Sequence, residues 1–123
     1  MQLRSPLGFA RRMRLTRERD FQRVLRQGSR ARAGHLVVAV HPNDLGYSRL
    51  GVSMGKRIDK SAVNRNRLRR LVREAFRLTY ASLPQGLDIL VLGAEPGLRL
   101  QLQATQSELA YLTRKAERRY REK

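Results

Sequence analysis

The sequence contains no cysteine and no tryptophan, and only ten of its 123 residues are acidic. Without cysteine, disulfide bonds, thiol catalysis and cysteine-ligated zinc sites are all excluded. The longest apolar runs, at residues 36–40 and 89–92, are far too short to span a bilayer, which takes about 20 residues of helix. We therefore expect a soluble, cytoplasmic protein that does not associate with a membrane.

Carboxylates and histidines are too few and too scattered for hydrolytic chemistry. A protein that cleaves phosphodiester bonds with metal ions needs clustered carboxylates to hold two ions about 4 Å apart, and no Asp-x-Asp or His-x-Glu pattern occurs. The two histidines, His35 and His41, bracket one predicted strand and lie about 20 Å apart at about 3.3 Å per residue. The sequence therefore predicts no catalytic residue and no metal site, and it argues against a stand-alone nuclease.

Positive charge is what the sequence has in excess. The formal net charge is +17, from 27 basic residues, of which 23 are arginine. Segments 1–35, 49–77 and 114–123 carry this charge, whereas the segments between them are slightly acidic. The planar guanidinium of arginine binds phosphate through paired hydrogen bonds and stacks on bases. This distribution indicates a polyanionic partner.

Residues 61–80 predict an amphipathic helix with Ser61 as its N-cap. Its apolar positions recur at helical spacing: Leu68, Leu71, Val72, Ala75, Phe76 and Thr79. The opposite side is almost entirely basic: Asn66, Arg67, Arg69, Arg70, Arg73 and Arg77, with Arg65 at the border. A solvated helix face ordinarily mixes charges so that neighbours attract, whereas residues 49–77 contain ten bases and two acids. A membrane-surface helix would want Trp or Phe for insertion; this Leu, Val and Ala set resembles a core, so the pattern favours nucleic acid.

The N-terminal half predicts one helix and a β-hairpin. Thr16 can cap a helix that ends near Gly28. After a basic loop at 29–34, the strand at 35–41 has an unbroken apolar run that indicates burial on both faces. The alternating segment at 49–54 predicts the second arm of a hairpin with it.

The C-terminal half predicts a strand at 87–93 and a final helix at 107–120. Because the basic helix lies between the strands at 49–54 and 87–93, this unit predicts a parallel crossover. The fold class is therefore α/β, an α+β sandwich of about three helices and a small mixed sheet of about four strands.

The chain shows no internal repeat and no low-complexity linker, so we expect a single domain over 1–123. Within it, 1–13 predict a flexible basic arm and 114–123 a basic helical tail. Gly51 indicates a bulge or the close approach of another group to its strand. Phe21, on the first helix, is by its residue type a core residue.

The central segment closely resembles the bacterial ribonuclease P protein family. The residues that carry the resemblance are 49–54, 56–58, 62–63, 65–67 and 69–76, with Arg14, Leu15, Asp20, Phe21, Val24 and Gly28 upstream and 88–92 downstream. The resemblance covers most of the chain after Arg14. It implies a left-handed strand–helix–strand crossover, although such connections are right-handed in about 98% of cases.

The resemblance also implies a function. The family's protein joins a catalytic RNA in a ribonucleoprotein that removes the 5′ leader from precursor tRNA by endonucleolytic cleavage. The RNA subunit carries the chemistry, with magnesium bound mainly by the RNA, and no obligate protein partner is evident.

The resemblance assigns two groups of site residues. Those facing the catalytic RNA are Lys56, Arg57, Lys60, Arg65, Asn66, Arg67, Arg69, Arg70 and Arg73. Those in a cleft for the single-stranded leader are Arg14, Phe21, Leu25, Val37 and Ala39, with Lys56 also near the phosphates. Unstacked RNA bases bind aromatic side chains, which gives Phe21 a role beyond packing. Leu25 and Ala39 stand where the family often has aromatic residues.

Two other classes of nucleic-acid-binding protein remain open on the residues alone. Short arginine-rich α/β domains are common among ribosomal and other structural RNA-binding proteins. A DNA-binding helix at 61–80 would read the major groove, but it calls for a preceding helix and turn where 49–54 predict a strand.

Overall fold

Three helices and four strands make up residues 11–123, the part of the chain that the computed structural model describes. The strands are β1 (Ser29–Ala33), β2 (Leu36–Pro42), β3 (Arg49–Ser53) and β4 (Leu87–Gly93), and the helices are α1 (Glu18–Gln27), α2 (Ala62–Thr79) and α3 (Leu102–Arg121). Short 3₁₀ turns lie at Arg11–Met13 and Tyr80–Ser82. The α/β class with its four-stranded mixed sheet is confirmed. None of the helices described is long and apolar enough to cross a membrane.

The strand order in the sheet is β1-β2-β4-β3. β4 pairs antiparallel with β2 and parallel with β3, so the predicted hairpin between 35–41 and 49–54 is wrong. β2 instead forms its hairpin with β1, in the segment predicted as a loop. That segment is an edge strand in which Ser29 and Ala31 are buried while Arg30 and Arg32 are exposed.

The predicted parallel crossover is confirmed as β3–α2–β4. Ser61 caps α2 as predicted, because its Oγ accepts a hydrogen bond from the backbone N of Asn64 at 3.2 Å. β4 has the predicted bounds. The left-handedness of the crossover remains a prediction from the family resemblance.

The ends of the other two helices differ from prediction. α1 begins at Glu18 after Arg17, whose side chain makes no capping bond, so the assignment of Thr16 as the cap is wrong. α3 begins at Leu102, five residues earlier than predicted, because Leu102 already packs against the core.

The structure describes the last residues of the basic arm predicted at 1–13 and all of the basic tail predicted at 114–123. Arg11–Met13, at the end of the predicted arm, form a 3₁₀ turn; the rest of that arm, 1–10, lies outside the described residues, and its flexibility stays a prediction. The basic tail is helical as far as Arg121.

The sheet is covered unequally on its two faces. On one face Leu36, Val38 and Val40 of β2 join the main hydrophobic cluster with Phe76 of α2 and Leu109 of α3. On the other face α1 and Leu15 pack in a smaller cluster that contains Leu15, Val24, Ala39 and Leu90, with Phe21, Leu25 and Leu92 partly buried around it. This second face is where part of the sheet remains accessible.

Candidate nucleic-acid interface

The basic side of α2 presents guanidinium groups that have no partner in the described part of the protein. Arg67 and Arg70 are exposed and Arg73 is partly buried, and none of the three makes a hydrogen bond or ion pair to another described residue. Glu74 is the one acid on the helix, and its carboxylate binds Arg77 at 2.6 Å. Apart from this pair, the positive charge of the face is not neutralised by described residues, which favours a polyanion.

Two other arginines of the helix hold the preceding loop in place. Arg65 donates through one terminal nitrogen to the backbone oxygens of Asp59 and Lys60, at 2.9 and 3.0 Å. Arg69 donates to Asn66 Oδ1 at 2.8 Å and to the Met54 oxygen at 3.0 Å. Both residues thus position the loop as well as adding charge to the surface.

The loop at 55–60 carries three further bases against the start of α2. Asp59 accepts from the backbone N of Ser61 at 2.8 Å and from Nδ2 of Asn64 at 3.3 Å, which fixes the loop to the helix. Lys56, Arg57 and Lys60 are exposed, and their side chains have no hydrogen-bond partner among residues 11–123. Loop and helix therefore form one continuous basic surface.

This surface extends to the free edge of β3 through Arg14. Arg14 forms an isolated parallel bridge with Leu50 of that strand, and the next residue, Leu15, donates its backbone N to the Leu50 oxygen at 2.8 Å. Burial, followed by the positive charges of Arg14 and Arg69, lowers the pKa of Arg73. Three like charges therefore converge here, and a bound phosphate would relieve their repulsion.

The second candidate surface is the sheet face beside α1. Pairing across the sheet aligns Arg32 with Val37, Val37 with Leu92, and Leu92 with Ser53. In this row Val37 and Leu92 are partly buried, while Arg32 and Ser53 are exposed. We call these four residues the open row. Its two central side chains form an accessible apolar surface, and Arg32 adds a positive charge at one end.

Phe21 and Leu25 of α1 lie beside the open row, and both are partly buried against the smaller cluster. A Cβ at Gly51 would lie 2.9 Å from Cε1 of Phe21, so the predicted close approach to Gly51 is confirmed and the Phe21 ring is the approaching group. Ala39 has no exposed surface, so a nucleic-acid strand bound here would contact Phe21 and Val37 rather than Ala39.

Arg32 is a candidate that the sequence analysis missed. Its side chain has no hydrogen-bond partner among the described residues, and its register with Val37 puts it on the accessible face. Its neighbour on the same face, Arg30, donates to the Leu25 oxygen at 3.2 Å and so fastens the end of α1. The alternation of Arg with Ala at 30–33 was the signal that could have identified both.

The end of this face nearest the start of α1 is closed by an ion cluster. Arg49 binds Asp88 through Nε and a terminal nitrogen, each at 2.8 Å, and approaches Asp20 at 3.6 Å. The hydrogen bond to Asp88 raises the pKa of Arg49. The cluster links α1 to β3 and β4. Since its two carboxylates are already matched by arginine, it is a poor site for a metal ion.

The contacts of both histidines are to residues outside the basic surface. His35 Nδ1 lies 3.2 Å from Glu95, and His41 Nδ1 lies 2.7 Å from the Pro42 oxygen, with its ring edge-on to Tyr120. Among the described residues, no group of three or more His, Asp or Glu could hold a metal ion.

The fold and these surfaces define a small α/β protein suited to an extended polyanion. A sequence model of ribonuclease P matches residues 9–117. The ribonuclease P protein component of Chromohalobacter salexigens is 46% identical over 89 residues, which are 72% of this chain and 69% of that protein. For the component from Photorhabdus laumondii the values are 36% over 109 residues, 89% of this chain and 91% of that protein.

Solved structures agree with the sequence relatives. The RNase P protein of Thermotoga maritima matches with a TM-score of 0.73 at 32% identity, over 82% of this chain and 96% of that one. The Staphylococcus aureus protein matches with a TM-score of 0.73 at 27% identity, over 85% and 95% of the two chains. The chain belongs to the ribonuclease P protein family. It is a protein component that works with an RNA subunit in an endoribonuclease holoenzyme of tRNA processing, and a ribosomal role is not favoured.

Proposed function

We propose that the basic surface of α2 and its preceding loop binds the catalytic RNA of ribonuclease P. The residues of this interface are Lys56, Arg57, Lys60, Arg65, Asn66, Arg67, Arg69, Arg70 and Arg73. The observation that carries the proposal is the set of cations on α2 that no described residue neutralises. Arg67, Arg70 and Arg73 supply direct phosphate contacts, while Arg65 and Arg69 also keep the loop in register.

We further propose that the 5′ leader of precursor tRNA binds along the open row and α1. The contacts come from Arg14, Phe21, Leu25 and Val37, with Ala39 as buried support and Arg32 as an additional phosphate ligand. A partly exposed phenyl ring beside an apolar row is the type of surface on which splayed bases stack. Arg14 lies near Arg73 and Arg69, so leader and catalytic RNA would meet at this shared cationic point.

The protein acts by positioning RNA, and the catalytic RNA performs the hydrolysis. Asp20 and Asp88 are the buried carboxylates of the described part, and both contact Arg49; this supports a holoenzyme whose magnesium is bound mainly by the RNA. We also propose that 1–123 act as a single RNA-binding domain in the cytoplasm, without an obligate protein partner.

Reconstitution tests where the chemistry is performed. The purified protein should not cleave precursor tRNA even with magnesium, because arginine cannot activate water at neutral pH. Addition of the ribonuclease P RNA of the source organism should produce cleavage, and the protein should lower the magnesium that this RNA requires. His35→Ala and His41→Ala should leave the reconstituted rate within a few-fold. Cleavage at the leader junction by RNA-free protein, abolished by a histidine or carboxylate variant, would make the protein itself the catalyst.

A second experiment identifies the partner. RNA crosslinked to the protein in cells should, on sequencing, be dominated by ribonuclease P RNA and by precursor tRNAs that retain their leaders. Enrichment of ribosomal RNA instead would contradict the proposed partner.

A further inference from the structure

A separate cleft of about 430 Å³ lies between the N-terminal half of α2 and the segment at 97–100. Its volume is within the range of about 300–1,000 Å³ that is usual for small-ligand sites. It is formed by the loop at 55–60, α2 and the connection between β4 and α3, and no residue of α1 or of the open row lines it. The cleft is not part of the surface proposed for the leader, and the positions of charged residues in the sequence do not predict it.

Two arginines from different parts of the chain line this cleft. Arg67 comes from α2, whereas Arg99 comes from the β4–α3 connection. Both are exposed, and neither side chain makes a hydrogen bond or ion pair with another of residues 11–123. Arg99 is the one base between residues 78 and 113, so the fold brings an isolated cation to the main basic surface. Paired guanidinium groups of this kind bind phosphate.

The remaining lining is largely apolar. Leu68 and Leu98 are buried, and Leu71 and Leu100 are partly exposed within the cleft. Inorganic phosphate alone would leave this leucine surface in contact with water. A flat apolar group joined to a phosphate would cover it and lower the free energy of binding in proportion to the area buried.

Asp59 gives the cleft a polar end that disfavours phosphate. Its carboxylate also lines the cleft, where it already accepts from Ser61 and Asn64. A carboxylate repels phosphate but can accept a hydrogen bond from a base amino group. Asp59 is bonded to Asn64, and Arg67 lies between Asn64 and Leu71 along α2, so the arginines are left for a phosphate and the leucine end of the cleft for a base.

The two walls of the cleft are fixed relative to each other. The backbone N of Gly97 donates to the Ile58 oxygen at 2.9 Å, and Gly97 adopts a φ of +73°, which favours glycine. Leu98, the next residue, is 5% exposed and anchors the segment in the core. A preformed cleft loses less conformational entropy when it binds a ligand.

We infer that this cleft receives one unpaired nucleotide of the catalytic RNA, with its base over Leu71 and Leu100 and its phosphate between Arg67 and Arg99. This inference rests on the proposed function, since it takes the RNA partner as given. It adds Arg99 and Leu71 to the interface and makes part of that interface a base contact. The nucleotide must be unpaired, because a paired base would not expose its face to the leucines.

Matched variants separate the two kinds of contact. Arg99→Ala should weaken binding of the source organism's ribonuclease P RNA about fivefold and lower the log–log salt slope by about 0.7. Leu71→Ala should weaken binding by a similar factor, about fivefold, with the salt slope unchanged, because the lost contact is apolar. The controls are Arg118→Ala for the exposed charge and Leu78→Ala for an exposed leucine on the same helix, and neither should change affinity.

Chemical probing of the RNA distinguishes the loss of one base contact in Leu71→Ala from a general folding defect of this variant. Wild-type protein should protect one unpaired base from base-specific reagents. Arg99→Ala and Leu71→Ala should restore its reactivity, whereas both controls should keep it protected.

The outcomes distinguish this inference from the proposed function. If Arg99→Ala and Leu71→Ala bind and protect the RNA like wild type while Arg67→Ala binds weakly, the cleft does not hold a nucleotide and α2 remains the interface. If Arg67→Ala also binds like wild type, the proposed α2 interface is wrong as well.

Discussion

The two longest helices, α2 and α3, are both rich in arginine, yet their charges have different surroundings. On α3, Arg114 donates to the Ser82 oxygen and Arg119 to the Arg30 oxygen, so these side chains fasten the helix to neighbouring segments. Lys115 lies over the Tyr111 ring. α3 also carries two acids, Glu108 and Glu117, and a third, Glu122, follows it. Much of its charge therefore has contacts within the protein.

α2 differs in part: Arg65, Arg69 and Arg77 bond to other described residues, whereas its other three arginine side chains do not. Arg67, Arg70 and Arg73 lack partners among the described residues, and neighbouring positive charges contribute to the lowered pKa of Arg73. Uncompensated like charge disfavours the folded state, and a bound polyanion offsets this repulsion. The number of arginines therefore does not distinguish the two helices. What distinguishes α2 is that three arginine side chains without a partner among residues 11–123, Arg67, Arg70 and Arg73, follow one another along one side of the helix.

Charge reversal on each helix should give the largest difference. Arg67→Glu with Arg70→Glu should weaken binding of the catalytic RNA by about 100-fold or more near physiological salt, because two phosphate contacts become repulsive. Arg118→Glu with Arg121→Glu makes the same change in net charge on α3 and should weaken binding by about threefold at most. Filter binding at several salt concentrations measures both. Equal losses for the two double variants would mean that only net charge matters.

The next prediction concerns aromatic residues on different surfaces. Phe21→Leu should preserve the fold and weaken precursor tRNA binding by the holoenzyme about tenfold, toward the affinity for mature tRNA, since base stacking contributes about 1–3 kcal/mol. Tyr111→Leu removes an exposed aromatic from α3 and should change neither affinity. If precursor and mature tRNA lose affinity equally with Phe21→Leu, or if the variant only melts earlier, Phe21 is a packing residue.

Local signals explain which parts of the fold the sequence predicts. Ser61 is followed by a helical apolar repeat, and 89–92 form an apolar run within 87–93, so α2 and β4 follow from their own residues. β1 does not, because Arg30 and Arg32 hide the alternation of small buried residues on an edge strand. The partner of β2 was also mispredicted, since the position of β4 between β2 and β3 depends on long-range pairing that strand periodicity does not encode.

In the candidate site, too, local sequence predicts some features, whereas others depend on long-range contacts. The basic face of α2 follows from helical spacing, whereas the contacts of Arg65 to loop backbone depend on how 55–60 fold back. Arg32 and Arg99 are inconspicuous in sequence because each lies apart from the main basic segment. Only strand register and the β4–α3 connection bring them to the surfaces where they are candidates for phosphate binding.

Substitution of Arg32 should have a smaller effect, and it tests whether the leader binds on the sheet face or on the α3 side of β1. Arg32→Ala should weaken holoenzyme binding to precursor tRNA about threefold and lower its salt slope by about 0.7, with no change for mature tRNA. Arg119→Ala removes a base that bonds to the backbone of β1, and it should lower the melting temperature slightly without a precursor-specific effect. A precursor-specific loss with Arg119→Ala but not with Arg32→Ala would place the leader on the α3 side of β1.

The smallest expected effect comes from the one acid on α2. The Glu74 side chain is 43% exposed, and its hydrogen bond from Arg77 lowers the pKa of Glu74 below its ordinary value of 4.5. This stabilisation is therefore present above pH 4.5 and is lost as the pH falls through the lowered pKa. Glu74→Gln should lower the melting temperature at pH 7 by no more than about 2 °C, since exposed ion pairs contribute little.

The pH dependence and the RNA affinity of Glu74→Gln together test the difference between the helices. Its melting temperature should converge with that of wild type as the pH is lowered below 4.5, because protonated Glu74 is then also neutral. At pH 7 its affinity for the catalytic RNA should rise by up to about twofold, since a negative charge has left the interface. Glu117→Gln, the matched change on α3, should leave RNA affinity unchanged. A rise with Glu117→Gln equal to that with Glu74→Gln would mean that α2 is not the helix closer to the RNA.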